Sequence, residues 1–147
     1  MLPLLPLIRR VRHGLTLGVR TILIDADRRV LLVRHSYTPG WHFPGGGVDV
    51  GETTEDAARR ELIEEAAVTA EGPLVLHGLF FNPRVGGRDH VACYLVPRFS
   101  FEALPPPNLE IREVRFFPRD ALPADVTPGT LRRLAEIENG EPANPRW

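Results

Sequence analysis

The stretch from Pro44 to Val68 limits this chain more than any other part of the sequence. It reads PGGGVDVGETTEDAARRELIEEAAV, a glycine-rich turn that runs directly into helix-forming residues. The glycines of the turn permit backbone angles and close approaches that other residues do not. The segment Glu52-Thr53-Thr54-Glu55 then offers hydroxyls that can cap a helix and acids that favour its first turn. The sequence therefore predicts a loop followed by a helix from about Thr54 to Ala67.

Acidic residues crowd one side of this predicted helix. At roughly 100° per residue, Glu61, Glu64 and Glu65 lie within an arc of about 100°. Like charges at this spacing destabilise a helix, whereas a divalent cation would turn their repulsion into attraction. Carboxylate oxygens are the ligands that Mg²⁺ and Mn²⁺ prefer. The pattern indicates a metal site, and an acidic helix that is simply exposed to solvent is the alternative interpretation.

The same residues resemble the Nudix box of the MutT-like Nudix hydrolases. Gly46, Glu52 and the run Arg60-Glu61-Leu62-Ile63-Glu64-Glu65-Ala66-Ala67-Val68 keep the spacing of that signature, and every charged position is present. Ala67 departs from it, because the family has a glycine there. Since that glycine shapes the helix exit and holds no metal, the departure concerns the exit geometry more than the chemistry.

The resemblance implies an α/β fold, the Nudix-type αβα sandwich, with a mixed central sheet and flanking helices. It also implies a metal-dependent enzyme in which water attacks a phosphorus of a nucleoside diphosphate derivative. Glu61 and Glu65 are the expected metal ligands, and Glu64 is either a third ligand or the general base. The carbonyl of Gly45 is a further expected ligand. Mg²⁺ or Mn²⁺ is the expected cofactor.

Two residues of the signature have a different expected role. Arg60 projects beside the acidic arc and could hold Glu52 and Glu64 by forked hydrogen bonds, which would orient the acids. A plain surface ion pair is the alternative for Arg60.

The substrate pocket is less clear from the sequence. Because the chain has no lysine, a phosphate clamp must be an arginine fork or backbone N–H groups, and the candidate arginines are Arg20, Arg34, Arg84 and Arg88. The loop from 82 to 90 is polar and contains glycines, so it reads either as a binding loop or as a plain hairpin loop. Glu110 is a candidate for an acid recruited from outside the box. The aromatic residues Trp41, Phe80 and Phe81 could stack on a base, but we favour the core for them.

The remaining pattern predicts further strands and a second helix. The expected strands cover 15–24 and 30–34 as a hairpin, then 41–43, 72–82, 90–99 and 110–117, and the expected helix is Pro128–Asn139. No repeat or linker interrupts the sequence, so one domain over 1–147 is expected, with an N-terminal arm over 1–13 and a loose tail over 141–147.

The composition of the chain limits the kinds of ligand and partner that are expected. The net charge of −1 gives no global field toward nucleic acid or membrane, so a small nucleotide-derived diphosphate is the expected ligand. The single cysteine allows no internal disulfide and favours a cytoplasmic location. A homodimer remains open. The alternatives to an enzyme are a catalytically silent Nudix-fold module that senses a ligand, and a structural domain whose acidic helix binds Ca²⁺ or a basic partner.

Overall fold

The computed structural model of the protein describes residues 4–147. Its elements in chain order are α1 (Leu4–His13), β1 (Thr16–Ile22), β2 (Arg29–His35), β3 (Trp41–His42), β4 (Gly45–Gly47), α2 (Thr54–Ala66), β5 (Thr69–Ala70), β6 (Val75–Asn82), β7 (Asp89–Leu95), β8 (Phe99–Ser100), β9 (Ile111–Pro118) and α3 (Pro128–Asn139). The two main helices lie where the sequence predicts them, and α2 ends one residue earlier than expected.

The strands form two main sheets and one short ribbon. The first sheet has the order β4-β1-β7-β6, the second has the order β3-β2-β9, and β5 pairs with β8. Strand β1 runs parallel to β7 and antiparallel to β4, so the first sheet is mixed. The predicted α/β architecture with a mixed sheet and flanking helices is confirmed.

Alternating side chains of the first sheet give it two buried faces. Val19 and Ala92 pack with Ala57 of α2 on one face. On the other face, Phe80 packs in a cluster that includes Leu134 of α3. The sheet is therefore covered by a helix on each side. Phe80 is 1% exposed and Trp41 is 4% exposed, so both aromatic rings belong to the core, as we favoured.

The predicted hairpin between the first two strands is wrong in its pairing. Strand β1 pairs with β4 and β7, whereas β2 pairs with β3 and β9 in the second sheet. The predicted pairing holds only beside the turn, where the bridge Ile24↔Val30 is accompanied by hydrogen bonds from Leu31 N to Leu23 O and from Asp25 N to Arg29 O. All four residues from Val30 to Val33 are fully buried, so both faces of β2 must be packed against other elements. Residues far apart in the sequence provide that packing.

The two ends of the described chain also have definite structure. The expected N-terminal arm forms α1 from Leu4 onward, and the arm's first three residues lie outside the described part. The expected loose tail is instead held along β6: Phe81 N donates to Pro145 O, and Trp147 N donates to Phe81 O, both at 2.8 Å. Within residues 4–147, no helix is both long enough and apolar enough to cross a bilayer.

Candidate active site

Helix α2 begins and ends at residues that satisfy its free backbone groups. Thr53 is the N-cap, and its hydroxyl accepts from Asp56 N at 3.0 Å. At the other end, Ala67 adopts the left-handed conformation with φ 54°, and its N–H donates to Ile63 O at 3.0 Å. A non-glycine residue rarely adopts this conformation. Ala67 therefore ends the helix in the left-handed conformation, at the position where the Nudix signature has a glycine.

The glycine turn packs closely against α2 and β1. A Cβ at Gly45 would strike the backbone of Val19, and one at Gly46 would strike the carboxylate of Glu61. A side chain at Gly45 would need the backbone to move, whereas one at Gly46 would displace the Glu61 carboxylate. The absence of side chains thus brings the backbone of the turn directly against one of the predicted metal ligands.

Arg60 lies in the acidic arc, and its guanidinium joins the parts of the site. Nε and one terminal nitrogen donate to the two oxygens of Glu52, at 3.2 and 2.6 Å. The other terminal nitrogen donates to Glu61 at 2.9 Å and to Glu64 at 3.2 Å. The nitrogen nearest Glu52 also donates to the carbonyl of Gly47, at 3.0 Å. Arg60 therefore ties α2 to the glycine turn and to the acid that precedes the helix.

Glu65 has a separate set of partners on the buried side of α2. Its side chain is 5% exposed, and its Oε1 lies 2.9 Å from His35 Nε2, on a ring that is 3% exposed. Its Oε2 accepts from Gly45 N at 3.1 Å. These two contacts fix the carboxylate between β2 and the glycine turn, so both of its oxygens are satisfied although the group is buried.

Burial and hydrogen bonding shift the pKa values of Glu52, Arg60 and Glu61. The hydrogen bonds from Arg60 lower the pKa of Glu52, and the same contact raises the pKa of the Arg60 guanidinium. Burial raises the pKa of Glu61, the charges of Glu65 and Glu64 act in the same direction, and the hydrogen bond from Arg60 opposes them. Glu61 is therefore a carboxylate whose ionised form would be favoured by an added positive charge.

Comparisons with known proteins agree with this geometry. The profile of the NUDIX domain family matches residues 14–136.

The chain belongs to the Nudix family.

Individual relatives add detail to this assignment. The putative 8-oxo-dGTP diphosphatase of Bacillus subtilis (strain 168) is 27% identical over 125 residues, which cover 85% of this chain and 81% of the relative. The RNA pyrophosphohydrolase of Caulobacter vibrioides is 50% identical over 62 residues, which cover 40% of this chain and 35% of that enzyme. The crystal structure of the MutT NUDIX hydrolase from Burkholderia pseudomallei superposes with a TM-score of 0.71 at 26% identity, covering 83% of this chain and 97% of that one. The protein is thus a Nudix-type hydrolase.

Nudix hydrolases generally use divalent metal ions, and the donor set of this site suits one. Glu61 and Glu65 supply hard carboxylate oxygens one helical turn apart, next to the backbone of Gly45. In the described residues, however, no three His, Cys, Asp or Glu side chains converge as ion ligands. The carboxylates instead bind Arg60 and His35. The chemistry of the residues fits a divalent cation, provided that these hydrogen bonds are exchanged for contacts with the ion.

The predicted phosphate-binding arginines do not form one cluster. Arg34 lies on β2 with its guanidinium 5.8 Å from the Trp41 ring, in the other sheet from the loop that holds Arg84 and Arg88. Arg88 donates to Gly14 O at 2.8 Å, and Arg84 is exposed. Arg20 is nearest to the glycine turn, because it pairs with Gly45 across the sheet and donates to Phe43 O at 2.8 Å.

Glu110 lies beside the end of β2 that carries His35, since Ser36 N donates to Glu110 O at 2.9 Å. It is exposed in the loop before β9, and its charge raises the pKa of Tyr37, although burial is the largest cause of that shift. The charges of Glu65 and Glu61 act on Tyr37 in the same direction. The ring of Tyr37 lies 5.1 Å from that of His35. Backbone pairing therefore places Glu110 next to the strand end that carries His35, the partner of Glu65.

Sequence reasoning missed His35, because the histidines show no zinc-binding spacing. A signal was nevertheless present in β2. Leu31 and Val33 pack in the same cluster as Leu62 of α2, and residues two apart on a strand share a face. His35 continues that series, so it also faces the helix and meets Glu65. A polar residue at the end of an inward-facing apolar series is a candidate partner for a buried acid.

Proposed function

We propose that this Nudix hydrolase cleaves the diphosphate linkage of a nucleoside diphosphate derivative by attack of water on phosphorus. The arrangement around Arg60 carries the proposal, because one side chain holds Glu52, Glu61 and Glu64 beside the glycine turn. A diphosphate is highly charged and repels an oxygen nucleophile, so its hydrolysis needs a positive charge at the phosphates. A bound divalent cation, Mg²⁺ or Mn²⁺, would supply that charge.

Each residue of the arc has a proposed role. Glu61 and Glu65 would hold the cation together with the Gly45 carbonyl, and Arg60 would orient the acids as a positioning residue. Glu64 is our candidate for the general base that takes the proton from the attacking water. Its side chain is 57% exposed, so a water molecule can reach it. Glu110 is a candidate for an additional acid.

The proposed substrate is a small molecule in the cytoplasm. A net charge of −1 supplies little attraction for a polyanion, and a single buried cysteine suits a reducing compartment. The Caulobacter relative is an RNA pyrophosphohydrolase, but the chain spans only 35% of its length. RNA with a 5′-triphosphate therefore belongs in the substrate panel as the contrary outcome.

The first test is a hydrolysis screen. The panel holds nucleoside triphosphates including 8-oxo-dGTP, nucleotide sugars including ADP-ribose, dinucleoside polyphosphates, dinucleotide cofactors and triphosphorylated RNA, each with Mg²⁺ or Mn²⁺. We expect release of phosphate, pyrophosphate or a nucleoside monophosphate that EDTA abolishes. In H₂¹⁸O, the label should enter one phosphoryl product. Binding of a panel member without any cleavage would instead support the catalytically silent ligand-binding module. In that alternative, Glu65 stays bound to His35 and Glu61 stays bound to Arg60 instead of to a cation.

The second test replaces the acids one at a time. Glu61→Gln, Glu64→Gln and Glu65→Gln should each lower kcat by about 100-fold or more, because the amide keeps the shape but loses the charge. Glu55→Gln is the matched control, since Glu55 lies on the same helix and pairs with Arg59 outside the arc. Thermal melting would show that the variants are folded. Near-normal turnover by the folded Glu61 and Glu65 variants would overturn the proposed metal site.

A further inference from the structure

Helix α1 combines a basic composition with a lack of packing. Its sequence, LLPLIRRVRH, contains three arginines, one histidine and no acidic residue, and every other residue except Pro6 is leucine, isoleucine or valine. All the α1 residues whose burial is described are exposed, and the exposed fractions of Ile8 and Val11 are 44% and 71%. Two large apolar side chains of one short helix therefore lie in solvent beside a group of cations.

The basic residues of α1 lie on both sides of this apolar pair. At roughly 100° per residue, Ile8 and Val11 are about 60° apart around the helix axis, so they share one face. Arg12 lies about 40° beyond Ile8, and Arg10 lies about 100° beyond Val11 on the opposite side. The stem of an arginine side chain is apolar, so its guanidinium can reach charged groups while the stem contacts apolar ones. An apolar face with cationic edges is typical of helices that lie in a membrane interface.

The C-terminal end of α1 is held to the domain by Arg88. Its Nη1 donates to Gly14 O at 2.8 Å, and its backbone carbonyl accepts from Thr16 N at 2.9 Å. Leu15, next to this joint, is also exposed, with an exposed fraction of 67%. The helix is therefore attached at one end, and its apolar face is open to a partner.

The charge of the chain is unevenly distributed between α1 and the rest of the domain. All the charged residues of α1 are basic, whereas the chain as a whole has a net charge of −1. The rest of the domain is therefore more acidic than the whole chain, so an anionic surface attracts α1 and repels the remainder. Two copies of α1 repel each other for the same reason, which disfavours a helix pair between two copies of this chain.

We propose that α1 is a docking surface for a lipid bilayer with anionic headgroups. The headgroup phosphates bind the arginines, while Ile8 and Val11 enter the boundary between the headgroups and the acyl chains. A nucleic acid would use the cations but leave the apolar pair in water, and an apolar protein groove would leave the cations unpaired. The bilayer is the partner that accounts for both features. One short helix gives weak, reversible binding, and this role does not depend on the identity of the substrate.

Sedimentation of the whole protein with vesicles tests the need for charge. At low salt, we expect binding to mixed vesicles of phosphatidylglycerol and phosphatidylcholine, and little binding to phosphatidylcholine alone. The triple variant Arg9→Gln, Arg10→Gln and Arg12→Gln should bind the mixed vesicles about 100-fold more weakly, because each basic residue near an anionic surface contributes about fivefold.

The matched control removes the same charge elsewhere on the surface. It replaces three exposed arginines outside α1 by glutamine, namely Arg28, Arg112 and Arg115, and it should bind nearly as wild type does. Absence of binding to the mixed vesicles, equal binding to the two kinds of vesicle, or equal losses in the two triple variants would overturn the inference.

The double variant Ile8→Ser with Val11→Ser tests the need for the apolar face. It should bind the mixed vesicles about tenfold more weakly or worse, because its helix keeps the charges but has less apolar surface to insert. Leu109→Ser with Leu131→Ser is the control, since these leucines are exposed outside α1. Vesicle binding that needs the arginines but survives the loss of Ile8 and Val11 would contradict insertion. That result would favour a purely electrostatic partner such as a nucleic acid.

A fluorescent label on α1 shows whether the helix itself enters the bilayer. Cys93 is fully buried, and burial raises the pKa of its thiol to about 12, so a thiol-reactive dye labels an introduced surface cysteine selectively. An environment-sensitive dye on Val11→Cys should emit at shorter wavelength when mixed vesicles are added, whereas the same dye on Leu109→Cys should not. Unchanged emission from Val11→Cys, although the protein sediments with the vesicles, would place the contact outside α1 and overturn the inference.

Discussion

At the residue scale, two side chains of the site hold several partners each. Arg60 binds three carboxylates and a backbone carbonyl, and Glu65 joins His35 to the turn. The planar fork of a guanidinium matches the two oxygens of one carboxylate and leaves further N–H groups for other acceptors, whereas an ammonium group is a point charge without that fork. The Arg60 side chain is 29% exposed, so solvent screens its ion pairs in part, and we expect Arg60 to matter more for the placement of acids than for stability.

Arg60→Ala should lower kcat/KM by about 10- to 100-fold, the usual loss for a residue that orients metal ligands. Its free energy of unfolding should fall by about 1 kcal/mol at most. Arg59→Ala is the control, because Arg59 binds Glu55 and the carbonyls of Ala70 and Gly72 instead of the arc. Equal activity losses in the two variants, measured by steady-state kinetics, would contradict the positioning role.

His42 gives the folded protein a specific sensitivity to acid. Burial lowers its pKa from 6.5 to about 4, and the nearby charge of Arg20 adds to the shift. The unfolded chain therefore binds a proton below about pH 6.5 that the folded chain resists. This contribution to stability is fully present above pH 6.5 and is lost as the pH falls toward 4.

Urea unfolding at pH 7 and pH 4.5 should reveal this contribution. Wild type should lose about 1–2 kcal/mol more free energy of unfolding between these pH values than His42→Gln, which cannot take up the proton, because solvent screens part of the shift at this partly exposed ring. His13→Gln is the control, since His13 is exposed on α1. The same acid-induced loss in wild type and in His42→Gln would show that other groups cause it.

At the element scale, α2 depends on the backbone at both of its ends. The Thr53 hydroxyl accepts a hydrogen bond from a free N–H at the first turn, and the N–H of the left-handed residue Ala67 donates to carbonyls of the last turn. The left-handed conformation costs a residue with a Cβ about 1–2 kcal/mol, which glycine avoids. Glycine in turn loses more conformational entropy on folding, by about 0.4–1 kcal/mol relative to alanine. The free-energy cost of the left-handed conformation at Ala67 is therefore larger than the entropic cost that a glycine would add.

Ala67→Gly should therefore stabilise the protein by about 0.5–1 kcal/mol, measured by urea unfolding. Ala66→Gly, one residue earlier, should destabilise it, because Ala66 is a buried helical residue. Steady-state activity of the Ala67→Gly variant should stay near wild type, since Ala67 contacts neither the turn nor the acids by hydrogen bonds. A loss of stability in Ala67→Gly would contradict the assigned strain.

At the scale of the whole molecule, one buried ion pair connects three distant elements. Arg133 on α3 is fully buried and binds Glu136 at 2.7 and 2.8 Å. His77 on β6 lies 3.0 Å from Glu136, and Asn144 N donates to the same carboxylate at 2.9 Å. Burial raises the pKa of Glu136, but these hydrogen bonds outweigh it and lower the pKa overall. Arg133 also donates to Arg146 O at 3.1 Å, so the pair anchors the segment that carries Trp147.

Arg133→Met should lower the free energy of unfolding by about 3–5 kcal/mol, because it leaves the carboxylate of Glu136 buried without its main partner. The double variant Arg133→Met with Glu136→Leu should recover much of that loss. Arg132→Ala is the control, since the exposed Arg132 donates only to the backbone of Trp147. Hydrogen exchange at Phe81 and Trp147 should also quicken in Arg133→Met. Equal stability of the single and double variants would contradict the ion-pair account.

The sequence by itself determined the parts of the protein that depend on local spacing. The acids of the arc share one side of α2 because residues three and four apart on a helix are neighbours. The same spacing gave the extent of α2 and α3 and the glycine turn that precedes α2, since caps and turn residues act within a few positions. Local spacing did not predict which strands pair, as the expected hairpin of β1 and β2 shows.

Only the tertiary structure decided which distant groups meet. His35 reaches Glu65 across 30 positions, Ser36 N donates to Glu110 O, and the Trp147 ring packs edge to face against Phe80. Strand pairing and side-chain packing produce these contacts, and both depend on burial summed over the whole chain rather than on any local pattern.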